Sequence, residues 1–208
     1  PGEISLAHKG VLFLDELSEF PPSVLEVLRQ PLEDRRITIT RAAGSMTFPA
    51  DFTLIAAMNP PSCSSRSLRH YLRRISPPLL DRIDLIVEVD AVPVEELERA
   101  PSKDAETSEN VRDRTTAARS LQRTRFAQSS ILTNSQMQVR HIDRFCPLDE
   151  ASKDLLRKAT ERLHLSARAY HRTIKVARTI ADLASSESIG VAHVAEALQY
   201  RHNVEECV

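Results

Sequence analysis

Glycine is scarce in this chain: 4 glycines stand against 12 prolines in 208 residues. Little of the backbone can therefore wrap a phosphate through a glycine-rich loop. No Gly-x-x-x-x-Gly-Lys-Ser/Thr stretch occurs, so the amides and lysine that cradle a triphosphate have no counterpart within these residues. Aromatic residues make up 4% and tryptophan is absent, which argues against a surface on which unpaired bases stack. The cysteines, Cys63, Cys146 and Cys207, are few, odd in number and far apart. They fit neither a disulfide framework nor a tetrahedral zinc site, and read as free thiols in a reducing compartment. Charge of one sign is missing too. With a formal net charge of −1, no global field draws the chain to nucleic acid or anionic lipid, and only local basic patches remain for that. No apolar run approaches the length of a membrane span and no leader pattern opens the chain, so the expectation is a cytoplasmic protein without a membrane partner. The first residue is Pro1, not methionine, which suggests a processed, excised or truncated product.

What is present is ordinary for a globular protein. Apolar residues are 41% and charged residues 27%, enough to build a core in one large domain or two small ones. Residues 10–15 form an apolar run ending in acid, the pattern of a fully buried parallel strand with function at its carboxyl end. Pro21-Pro22-Ser23 opens a helix to about Leu32, with Val24, Leu25, Val27 and Leu28 at helical spacing. Residues 36–48 alternate, turn at 43–45 and read as a β-hairpin. A second buried strand covers 52–58, a short helix 78–82 and a third strand 85–89. Residues 93–110 are polar and punctuated by proline, like a linker. Helical patterns follow at 111–127, 149–163, 168–186 and 191–201, the third with Ile174, Ala177, Ile180, Ala181 and Ala184 on one stripe. The expected organisation is an α/β part over 1–92, a linker over 93–110 and a helical part over 111–208.

The sharpest chemical signal is Gly10-Val11-Leu12-Phe13-Leu14-Asp15-Glu16-Leu17. Four apolar residues followed by Asp-Glu form the Walker B pattern, in which a strand holds two carboxylates at the sheet edge where nucleotide sits. Asp15 would hold Mg²⁺ through water, and Glu16 would orient and deprotonate the attacking water. Asn59 ends the next buried strand in an amide with one donor end and one acceptor end. It suits contact with a γ-phosphate or a catalytic water, although Asn59-Pro60 would also serve as a plain turn.

Taken together, GEISLAH, GVLFLDEL, AAMNP, the RIS and PLLDRID stretch, and SARAYHR resemble the magnesium-chelatase-like AAA+ ATPase family (the ComM/YifB group), in family order and over nearly the whole chain. The resemblance implies a partial AAA+ P-loop-type parallel sheet with a β-hairpin inserted in helix 2, followed by an all-α lid domain. It implies ATP and Mg²⁺ as cofactors. Arg82 matches the arginine finger that one subunit extends to a neighbour's γ-phosphate, with Arg74 as a second basic candidate. Arg168 matches the sensor 2 arginine, and Arg172, one helical turn on, is the fallback. The hairpin matches an insertion that faces the pore of ring helicases, so Arg35, Arg36 and Arg41 would contact phosphate without reading sequence. The family's phosphate-binding loop and Lon-like N-terminal domain have no counterpart here. The segment 60–70 is short, with Cys63 alone, where family members carry more cysteines.

The resulting expectation is part of an ATP-hydrolysing homo-oligomeric ring, of hexameric size, that remodels DNA by branch migration in competence. Alone, the chain should bind ATP weakly or not at all. Two alternatives stand beside it: a chelatase-type or protein-remodelling motor that uses no DNA, and a non-catalytic subunit that only assembles with others.

Overall fold

The computed structural model describes residues 2–42, 44–59, 75–94 and 106–205. These form a mixed α/β protein with a small parallel sheet, a hairpin and many helices. The chain divides into two compact units, one running to Ile83 with the last residues from Val204, the other spanning Asp84–Asn203.

In the first unit, helix α1 (Glu3–Leu6) precedes strand β1 (Val11–Leu14). Helix α2 (Pro22–Glu26) begins with proline at its first position, where the missing N–H costs nothing. Helix α3 (Arg29–Asp34) follows after a break at Val27 and Leu28, so the single helix expected to Leu32 is two short ones. Leu25 and Leu28 are buried, whereas Val24 and Val27 face solvent. Strands β2 (Arg36–Arg41) and β3 (Gly44–Pro49) pair antiparallel as the expected hairpin, and β4 (Thr53–Ala56) pairs parallel with β1. Gly44 at the hairpin turn has φ 135°, a conformation that side chains disfavour. Helix α4 (Pro77–Leu80) is capped by Ser76, whose hydroxyl accepts the Leu79 N–H. Leu17, Ile75, Leu79 and Leu80 join Leu25 and Leu28 in this unit's buried set.

Three strand expectations need correction. β4, expected as a buried strand over 52–58, covers Thr53–Ala56 with no buried residue and Ile55 48% exposed. β1 is not buried on both faces: Val11 and Phe13 are each 57% exposed. Its alternating exposure follows from a sheet that has two strands among the described residues, which leaves one face without cover. Residues 85–89 form no strand. One backbone bond, Ile86 N–H to Tyr200 C=O at 3.1 Å, links this stretch to its unit, and Leu85, Val87 and Val89 face solvent. A β-branched sequence without a neighbouring ladder has nothing to pair with.

The second unit is helical: α5 (Ser108–Arg125), α6 (Val139–Phe145), α7 (Glu150–Arg162), α8 (Ala167–Leu183) and all but the last two residues of α9 (Val191–Glu205). Side chains cap the starts. Thr107, Asp149 and Ser166 accept backbone N–H groups of α5, α7 and α8, each three residues on. The helix at 139–145 was not apparent from the sequence. It is short and opens on a Gln138–His141 capping box without an apolar stripe to announce it. On α8, Ile174, Ala177 and Ala181 are buried as expected, but Ile180 is half-buried and Ala184 lies exposed past the helix end. Leu156, Met137, Ile142 and Val194 complete the centre of the core. Cys146 is a free, buried thiol, pushed up to about 11 by burial. Cys63 and Cys207 lie outside the described residues.

Candidate functional site

The site is built by a parallel register. β1 and β4 match Val11↔Thr53 through Leu14↔Ala56. Beyond them the ladder continues: the Ala57 N–H donates to Leu14 C=O at 2.9 Å, and the Leu17 N–H donates to Ala57 C=O at 2.9 Å. Ala57 thus brackets the Asp15-Glu16 dipeptide, and Asn59 follows two residues later. Both acids and the amide occupy the carboxyl edge of one parallel pair, all three exposed. In open α/β sheets that edge is where ligands bind.

Glu16 has left-handed backbone, φ 50° and ψ 47°. For a non-glycine residue this costs about 1–2 kcal/mol. Two bonds hold it there. Its own N–H donates to Asp15 Oδ1 at 2.9 Å, and the next amide reaches Ala57. The bend ends the strand abruptly and throws both carboxylates outward. Asp15 Oδ1 is occupied by that amide, whereas Oδ2 takes no hydrogen bond among the described residues. The amino end of the strand pair is pinned separately. Lys9 donates from its backbone N–H to Asp51 C=O and from Nζ to Asp51 Oδ2, both at 2.6 Å, and the Asp51 N–H donates to His8 Nδ1 at 3.1 Å. Burial pushes the Asp51 carboxyl up, but the Lys9 hydrogen bond and the charges of Arg35, Lys9 and His8 outweigh it and hold the group below its ordinary value.

Arg82 lies just past α4. Its Nε is 3.2 Å from Glu33 Oε2 on α3, its Nη1 donates to Pro78 C=O at 2.5 Å, and its side chain is 12% exposed. Glu33 and the Pro78 carbonyl hold this guanidinium within its own unit. Glu33 carries no local sequence signal for this contact, which only folding creates. Arg74 lies outside the described residues, as does the 60–70 segment.

Of the hairpin arginines, Arg35 closes α3 with φ 54° and sits 3.6 Å from Asp51 Oδ1. Arg36 and Arg41 are exposed at opposite ends of β2. The alternation of a strand puts them on opposite faces of the ribbon. Arg36 shares its face with Thr38 and Thr40, which meet Thr47 and Ser45 hydroxyl to hydroxyl at 3.1 and 3.3 Å. Arg41 shares the other with Ile37 and Ile39, paired across to Phe48 and Met46. In the helical unit, Arg168 is half-buried in the first turn of α8. Arg172 lies one turn on along the same face, and its Nη1 is 2.6 Å from Asp84 Oδ1.

Magnesium bound to a nucleotide takes one or two carboxylates plus phosphate oxygens, not an all-protein cage. A single Asp15 oxygen left without a partner, beside Glu16 and Asn59, fits that demand. No cluster of three or more His, Cys, Asp or Glu side chains able to hold a metal occurs among the described residues. The triphosphate itself has no glycine-rich cradle in this sequence.

The family profile for magnesium chelatase, subunit ChlI, matches residues 1–97, and that for its C-terminal part matches residues 105–201. The chain belongs to the magnesium-chelatase-like family. It is 45% identical to the competence protein ComM of Haemophilus influenzae over 97% of this chain and 40% of that protein. It is 41% identical to the YifB proteins of Salmonella typhimurium and Escherichia coli, over 97% of this chain and 41% of each. This magnesium-chelatase-like chain therefore spans about two fifths of the length of the relatives it matches. Among its described residues no helix is long and apolar enough to cross a membrane.

Proposed function

We propose that these residues are the hydrolytic and subunit-bridging part of an ATP-driven AAA+ motor that remodels DNA, as the competence name of its Haemophilus relative suggests. In this reading residues 1–92 carry Walker B, sensor 1 and the arginine finger, residues 93–110 link, and residues 111–208 form the lid with sensor 2. The motor is a homo-oligomeric ring of hexameric size, and its phosphate-binding loop belongs to sequence preceding these residues in a chain of the relatives' full length. The observation that carries the reading is the β1–β4 register, which sets Asp15, Glu16 and Asn59 on one sheet edge.

ATP with Mg²⁺ supplies the scissile phosphoanhydride and part of the charge neutralisation when bound. Asp15, with its second oxygen, would hold the magnesium ion through water. Glu16 accepts a hydrogen bond from the attacking water and takes its proton. The Asn59 amide orients that water or the terminal phosphate. Arg82, released from Glu33, lends its planar fork to charge that develops in a neighbouring subunit's site. Arg168, with Arg172 behind it, does the same from the lid.

The test is Glu16→Gln in a chain of the relatives' full length. Turnover of ATP should fall about 10²–10⁴-fold while nucleotide affinity is retained, because only the base is removed. Hydrolysis at the parental rate would remove Glu16 from the mechanism.

A further inference from the structure

Helix α5 is polar nearly all round. It buries only Ala118 and Gln122, with Arg125 half-buried beside them. A helix with so thin an apolar stripe has most of its surface available to something other than its own core. Its five basic residues are all arginine. Two of them are matched by carboxylates: Arg114 lies 2.9 Å from Glu106, and Arg125 is held by Asp182. The other three, Arg112, Arg119 and Arg123, are exposed, and their guanidiniums make no ion pair or hydrogen bond among the described residues. At 100° per residue these three fall within about 40° of one another around the axis, roughly 80–120° from the middle of the Ala118–Gln122 stripe.

Helix α7 shows what a self-neutralised solvent face looks like in the same unit. Lys153, Arg157 and Lys158 are each paired with a carboxylate three or four residues back, at 2.7, 2.5 and 2.7 Å. On α5 the corresponding arrangement is absent: Glu109 and Asp113 make no ion pair among the described residues with the three arginines, although Glu109 stands three residues from Arg112. The result is a one-signed stripe on a chain whose net charge is −1.

We infer that Arg112, Arg119 and Arg123 form a second nucleic-acid surface, which grips the phosphate backbone. The inference rests on the DNA reading above and adds to it a contact on the other unit from the hairpin. Guanidinium forks suit phosphate oxygens bidentately, and the absence of lysine fits that preference. The stripe runs about 16 Å along the helix at 1.5 Å per residue. One DNA strand presents a phosphate about every 3.4 Å, so several phosphates face the three arginines. None of the side chains between them is aromatic, and no base is read: the contact is blind to sequence.

The experiment uses the protein at the relatives' full length. Arg112→Gln, Arg119→Gln and Arg123→Gln are combined, since glutamine and arginine have similar helix propensity and the helix survives the change. Affinity for a fluorescent DNA duplex is followed by anisotropy across a salt series. The slope of log affinity against log salt should become shallower by about 2–3, one contact per arginine at about 0.9 each. ATP hydrolysis without DNA should not change. The triple lysine variant should restore the slope, because it keeps the charge. A parental slope and affinity in the glutamine variant overturn the inference and leave the hairpin reading standing. Weaker binding with an unchanged slope also overturns it, since no phosphate contact was lost. Smaller oligomers with an unchanged slope assign the stripe to an acidic protein surface instead. A parental protein that binds no DNA overturns the DNA reading, and this surface with it.

Discussion

Asp182 has no exposed side-chain surface, yet three residues converge on it. Arg125, Arg178 and the Asn134 amide all donate to its oxygens, and Arg178 also donates to the Ser186 and Glu187 carbonyls at 2.6 and 2.8 Å. Burial pulls the Arg178 guanidinium below its ordinary value, and the Asp182 charge works against that pull. Removing the carboxylate leaves two guanidiniums facing each other without a counter-charge. Asp182→Asn should destabilise the helical unit by about 3–5 kcal/mol, read from its denaturant midpoint. An unshifted midpoint would mean that water or the backbone carbonyls satisfy both arginines unaided. None of this could be read from the sequence, where Asp182 is one polar residue at the end of an amphipathic helix and Arg125 lies 57 positions away. The acid pair at 15 and 16 was legible because an apolar run ending in Asp-Glu is a local pattern. The left-handed backbone of Glu16 was not, since it depends on Ala57 bonding to both sides of the pair.

Among the elements, the hairpin was the most legible. Period-two alternation and Gly44 are local signals, but the turn is tighter than the expected 43–45: β3 begins at Gly44, pairs Ser45 with Thr40, and runs on to Pro49. Its two faces differ in chemistry, one of hydroxyls with Arg36 and one apolar with Arg41. If the hairpin contacts DNA, Arg36→Ala with Arg41→Ala should abolish stimulation of ATP hydrolysis by DNA and leave the basal rate intact. Stimulation at the parental level would remove Arg36 and Arg41 from the DNA contact, and a parental protein that DNA does not stimulate would favour a motor that works without DNA. The 85–89 stretch shows the reverse case. Its residues suit a strand, but strand formation needs a partner, and composition cannot announce a partner.

For the whole chain, a change of composition near residue 93 signalled two parts, and the structure divides at Ile83 and Asp84. The parallel sheet holds two strands among the described residues, so β1 and β4 each keep an outer edge unpaired there. Open edges with exposed Val11, Phe13 and Ile55 invite pairing with another chain. The isolated chain should therefore show concentration-dependent association in sedimentation velocity, and a monomer at every concentration would mean that the edges are covered. The clamp that fixes the site has a different reach. The Ala50 N–H donates to Arg35 C=O at 2.8 Å, so the hairpin leaves and rejoins the unit at one point. Lys9 and Asp51 secure the strand pair at its amino end, away from the site, and Ala57 secures it beside the acids. Insertions or deletions at the hairpin tip are thus silent at the acids, whereas one residue added between Ala56 and Asn59 would carry the amide about 3.3 Å out of step. Length variation among homologues should be free in the first place and absent from the second.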